Sequence, residues 1–99
     1  MKTPATIKIG RRRYKVIKKR HMHYAGLLSY RTKELALATH WRGTVPYTPR
    51  QIKETFWHEV IHGILYDMRQ YALNSKEKFV DGLAMRIVAV LKQLPKDSR

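Results

Sequence analysis

Along the first forty residues, apolar positions recur with a period of two. Ile7 and Ile9 alternate with Thr6 and Lys8, Tyr14 and Val16 alternate with Arg13 and Lys15, and Gly10-Arg11 separates the two runs. The pattern predicts a β-hairpin over 6–9 and 12–20 with Ile7, Ile9, Tyr14 and Val16 facing inward. Ile17 breaks the alternation, which predicts a bulge. Periodicity fails over His21-Met22-His23-Tyr24-Ala25-Gly26, which reads as a connection with His21 and His23 in solvent. Glu34 to Thr39 is short, sets Leu35 and Leu37 among small residues, and precedes a loop containing Gly43 and Pro46. It predicts a third strand whose outer edge is free to pair with an extended peptide.

From residue 48 onward the period changes to that of a helix. Thr48 is an N-cap, Pro49 occupies the first helical position, and Gln51 stands three residues after the cap, where it closes a capping box. Ile52, Phe56, Trp57, Val60, Ile61, Ile64 and Leu65 form a broad apolar surface, and Thr55, His58, His62 and Tyr66 form a narrower polar stripe beside it. Gly63 weakens a helix unless a neighbour must approach closely, and close packing is the expectation. Asn74 or Ser75 caps a second helix, with Glu77 completing a second capping-box pattern. Phe79, Val80, Leu83, Ala84, Ile87, Val88, Val90, Leu91 and Leu94 give it a stripe wide enough for the first helix and the sheet. Pro95 stops it, and Lys96 to Arg99 are expected to fray. The expectation is one α+β domain over 1–99. A small, three-stranded, mostly antiparallel sheet (region 1–40) packs on two helices (48–69 and 75–94).

The 99-residue chain is 43% hydrophobic, enough for one modest core. It has no apolar run long enough to cross a membrane and no signal-peptide core, so a cytoplasmic protein is expected. Without cysteine, any metal must be held by histidine and carboxylate. The formal charge is +14, and eleven Lys or Arg precede the first acid, Glu34. Such a field attracts nucleic acid or an acidic partner, or else belongs to a solvated strand face.

The polar stripe carries chemistry. His58-Glu59-Val60-Ile61-His62 sets two imidazoles one turn and about 40° apart, so both reach one ion, while Glu59 stays free to hold and deprotonate a metal-bound water. A catalytic zinc needs a third protein ligand and an open position. Glu77 and Asp81 are the downstream candidates, one turn apart. Glu77 has the longer reach, and Asp81 can accept the free N–H of a ligating histidine. In the converse arrangement Glu77 only caps and Asp81 ligates; His40 is a weaker third candidate.

These residues resemble the gluzincins, in which a His-Glu-x-x-His helix is followed by a glutamate ligand on a second helix and an acidic residue one turn on. The small size is similar to the minigluzincins and to small phage-encoded metallopeptidases of the IrrE type. The resemblance implies a minimal zincin-like fold with His58, His62 and Glu77 as ligands of one Zn2+, Glu59 as general base and Asp81 as the partner of a ligating histidine. It implies a peptide or protein substrate aligned along the strand near Leu35 to Thr39, in the host cytoplasm if the chain is phage-encoded. Larger gluzincins stabilise the oxyanion from a further subdomain. Tyr66, Tyr47 and His40 are the candidates for that contact here. The expected activity is zinc-dependent peptide hydrolysis, in an active or latent form. The alternative is a basic nucleic-acid-associated protein whose zinc site is structural, latent or vestigial.

Overall fold

The computed structural model describes residues 3–95; the tail from Lys96 lies outside them. The strands are β1 (Thr6–Ile9), β2 (Arg12–Lys19), β3 (Gly26–Ser29), β4 (Glu34–Ala38), β5 (His40–Trp41) and β6 (Val45–Pro46). The helices are α1 (Pro49–Asp67), α2 (Tyr71–Asn74) and α3 (Glu77–Leu91). The class is α+β, with a four-stranded, mostly antiparallel sheet.

β1 and β2 form the expected hairpin, with Ile9 opposite Arg12. Gly10, at φ +62°, supplies the left-handed residue that opens the two-residue turn. Ile9 and Tyr14 are buried and Ile7 and Val16 pack beside them, so the inward set is the one the alternation marks. No bulge occurs at Ile17. Pairing runs unbroken from Lys15 with Glu34 to Lys19 with Ala38, and Ile17 lies half-buried on the opposite face, against Ala36.

The sheet differs from expectation in its third and fourth strands. Its order is β1-β2-β4-β3, with β4 parallel to β2 and antiparallel to β3. The strand containing Leu35 and Leu37 is therefore central, not an edge, and its four residues Leu35 to Ala38 are all buried. The edge belongs to Gly26–Ser29. This segment has no alternation of its own and becomes a strand only by pairing with β4, Leu28 opposite Leu35. β5 and β6 make a separate short hairpin beyond β4.

α1 begins with the complete capping box: the Gln51 N–H donates to Thr48 Oγ1 at 3.1 Å and the Thr48 N–H donates to Gln51 Oε1 at 2.8 Å. It ends in a Schellman turn. Arg69 takes φ +59°, the Gln70 N–H bonds the Leu65 carbonyl and the Arg69 N–H bonds the Tyr66 carbonyl. That turn reverses the chain and lets α3 return along α1. α2, a single turn not expected from the pattern, bridges the two.

α1 is packed on two sides. Phe56 and Val60 join Leu28, Leu35 and Leu37 under the sheet. Ile61 and Leu65 join Val80 and Ala84 of α3. Gly63 does permit close approach, since a Cβ there would stand 2.7 Å from Ile9 Cδ1. α3 buries Val80, Ala84 and Val88, whereas Phe79, Leu83 and Val90 stay substantially exposed. The stripe expected to reach both α1 and the sheet thus serves α1, because α1 already covers the inner face of the sheet.

Candidate metal centre

With two faces of α1 committed to packing, the stripe between them opens into the groove bounded by β3 and α3. His58 and His62 sit there on successive turns, with ring centroids 4.8 Å apart. The first turn of α3 brings Glu77 over both. His58 Nε2 lies 3.0 Å from Glu77 Oε2, His62 Nε2 lies 3.2 Å from Glu77 Oε1, and the two Nε2 atoms are 3.2 Å apart. One donor atom from each of the three lies within 4.8 Å of the others, close enough to hold a metal ion. A tetrahedral ion bound at about 2.0–2.2 Å sets its ligand atoms roughly 3.3–3.5 Å apart, close to the 3.2 Å between the two Nε2 atoms, each of which faces a different Glu77 oxygen.

The other nitrogens of the two rings face oxygen atoms too. His62 Nδ1 is 2.5 Å from Asn74 Oδ1, and His58 Nδ1 is 3.5 Å from Asp81 Oδ1. The Asn74 acceptor at His62 Nδ1 favours the tautomer with the proton there, which turns the His62 Nε2 lone pair toward Glu77; at His58 the Asp81 carboxylate faces Nδ1 without a hydrogen bond. Asn74 is itself held, its Nδ2 donating to the Tyr30 hydroxyl at 3.0 Å, and that hydroxyl donates to the His62 carbonyl at 3.4 Å.

Asn74 therefore does not cap α3. The N-cap is Lys76, with no side-chain cap bond, because the Asn74 amide is spent on His62 and Tyr30. Neither role of Asn74 nor that of Tyr30 was expected from the sequence. Asn74 is flagged there only by its capping pattern, and Tyr30, 44 residues away, has no local signal at all.

Glu59 is the only buried charged side chain among the described residues, 7% exposed. Burial pushes its carboxyl up from the ordinary range; the nearby His58 and His62 pull it down, Glu77 pushes it up, and the Leu28 backbone N–H again pulls it down. The β3 edge passes directly over it. A Cβ on Gly26 would lie 2.6 Å from Thr55 Cγ2 and 3.1 Å from Glu59 Cγ, so this approach needs glycine.

The remaining expected contacts separate. Tyr47 lines the same cleft, of about 980 Å³, together with Gly26, Leu28 and Glu54. Tyr66 is turned away: its ring stacks on Tyr30 at 3.9 Å, carries the Arg12 guanidinium, and lines a different depression with Asp67 and Tyr71. One turn past His62, it falls where α1 faces the start of the sheet. His40 pairs within the β5–β6 hairpin, its Nδ1 2.7 Å from Thr39 Oγ1, and does not join the metal-binding group. His21 and His23 are exposed, as expected. No helix is long and apolar enough to cross a membrane among the described residues.

No protein-family model, curated protein or solved structure matches this chain.

Proposed function

We propose that this protein is a zinc-dependent peptidase of minimal gluzincin type, with His58, His62 and Glu77 as metal ligands and Glu59 as general base. The observation that carries the reading is the convergence of both Nε2 atoms on the Glu77 carboxylate beside the buried Glu59 carboxylate. Among the described residues the group offers three ligands and no fourth, which suits a catalytic zinc rather than a closed structural one. Zinc, when bound, supplies a Lewis acid that polarises the scissile carbonyl and lowers the pKa of water toward about 7.

The chain's own residues do the rest. Glu59, raised by burial, accepts the proton of the attacking water and passes it to the leaving amine. β3 supplies the substrate track. It is an edge strand, it passes over Glu59, and Gly26, Leu27 and Leu28 line the cleft, so an extended peptide can add to it as a further strand. Asn74 keeps His62 in its ligating tautomer and orientation, and the Asp81 carboxylate faces His58 Nδ1. Tyr47 is the cleft hydroxyl available to a developing oxyanion.

The test is metal analysis of protein purified without added zinc, paired with peptide-library cleavage by wild type and Glu59→Gln. One zinc per chain in both proteins, with cleavage by wild type alone, is expected. Cleavage by Glu59→Gln at the wild-type rate, or a wild type that binds no zinc, refutes the assignment.

A further inference from the structure

The charge of this chain is sorted by face. Four of its seven acids, Glu54, Glu59, Glu77 and Asp81, line the cleft, and among the described residues no Lys or Arg does. The sheet shows the reverse. Its inner face is the core against α1, and the strand register puts Lys8 opposite Arg13, with Lys15 and Lys19 following Arg13 at every second or fourth position of β2, on the outer face. All four are exposed, and none is in an ion pair among the described residues. Glu34, opposite Lys15, is the only carboxylate on that face of the four strands, and no helix covers the face among the described residues.

We propose that this outer sheet face binds the phosphodiester backbone of a nucleic-acid duplex, independently of sequence. Same-face residues on a strand are about 7 Å apart, and lysine and arginine side chains of that spacing can each take a separate phosphate. The rest of that face, Thr6, Ile17, Leu27, Ser29, Ala36 and Ala38, carries no aromatic ring. A single-strand binder needs aromatic platforms for base stacking, so the face suits a duplex held by its backbone. Each phosphate neutralised contributes about 0.9 to the slope of log affinity against log salt. The interface lies across the sheet from the cleft and does not depend on metal or on catalysis.

The experiment measures anisotropy of a fluorescein-labelled 20-base-pair DNA between about 50 and 300 mM NaCl. Wild type is compared with the triple variant Lys8→Gln/Lys15→Gln/Lys19→Gln and with a charge-matched control on the helical side, Lys76→Gln/Lys78→Gln/Lys92→Gln. The sheet variant is expected to lose about 3 from the salt slope and about a hundredfold in affinity near 100 mM salt, with the control close to wild type. Thermal melts verify folding, and the single variants Lys15→Gln and Lys19→Gln, each expected to lose about 1 from the slope, give the same answer if the triple misfolds. Equal loss in sheet and control variants would mean that net charge alone binds, and would overturn the proposal. So would tighter binding to single-stranded DNA of equal length, or displacement of the duplex by polyglutamate or phosphatidylglycerol vesicles at lower charge concentration.

Discussion

Asn74 Oδ1 stands 2.5 Å from His62 Nδ1, so the residue that ends α2 fixes the ring of a histidine on α1. The bond spans the reversal between the two helices and is anchored at its far side by Tyr30. Asn74→Ala is expected to weaken zinc binding about 10- to 100-fold, the usual effect of removing the partner of a ligating histidine. Asn74→Asp, which keeps the acceptor, should retain most of the affinity. Competition with a chromogenic chelator measures both, and an unchanged affinity in Asn74→Ala would refute the role.

Glu77 and Asp81 stand in different relations to the histidines: Glu77 faces both Nε2 atoms, Asp81 only His58 Nδ1. Glu77→Ala should therefore abolish stoichiometric zinc in protein purified without added metal. Asp81→Ala should keep zinc with about tenfold lower affinity, the low end for such partners because its carboxylate is exposed and 3.5 Å away. Loss of metal only in Asp81→Ala would reverse the ligand assignment.

Gly26 meets Thr55 and Glu59 more closely than any side chain allows. Thr55 has little freedom to yield, since its hydroxyl donates to the Gln51 carbonyl at 2.9 Å. Gly26→Ala is expected to displace Glu59 or lift β3 and to lower kcat/KM about a hundredfold, the scale of an ångström-sized misplacement. Zinc content should not change. Full activity in this variant would show that the approach of β3 to Glu59 is unimportant.

Burial raises the phenols of Tyr14 and Tyr30 above their ordinary value of 10.0; at Tyr30 the Asn74 amide partly opposes the rise. The folded state thus holds these protons more tightly than the unfolded chain does. Their contribution to stability is complete below about pH 10 and is lost as pH climbs through the raised folded values. Urea midpoints between pH 9 and 11.5 should fall more steeply in wild type than in Tyr14→Phe, and parallel curves would contradict this.

Thr48 and Gln51 exchange both bonds of the capping box, which starts the helix that carries His58 and His62. Thr48→Ala should cost about 1 kcal/mol by denaturant titration. Since the ligands lie two to four turns further along, zinc affinity at saturating stability should be unaltered, and a selective loss of metal would point to a different coupling.

Local chemistry alone made much of this molecule legible. The Ile7/Ile9 and Tyr14/Val16 alternation marks the hairpin's inner face, Thr48-Pro49-x-Gln51 marks the start of α1, and the four-residue step from His58 to His62 brings their rings together. Each depends on residues within one strand pair or one helical turn, where backbone geometry leaves few alternatives. Only the tertiary structure decided that Gly26–Ser29 is a strand and holds the edge, because a segment without alternation is defined by the partner it pairs with, and that partner, β4, also pairs in parallel with β2. The same holds for Asn74, drawn from capping into the bond with His62, for Tyr66, turned onto Tyr30, and for the meeting of Glu54 and Glu59 of α1 with Glu77 and Asp81 of α3 around one cleft. Such relations join residues far apart in the chain. No local preference encodes them, since they arise when the two packed faces of α1 fix where sheet and α3 lie.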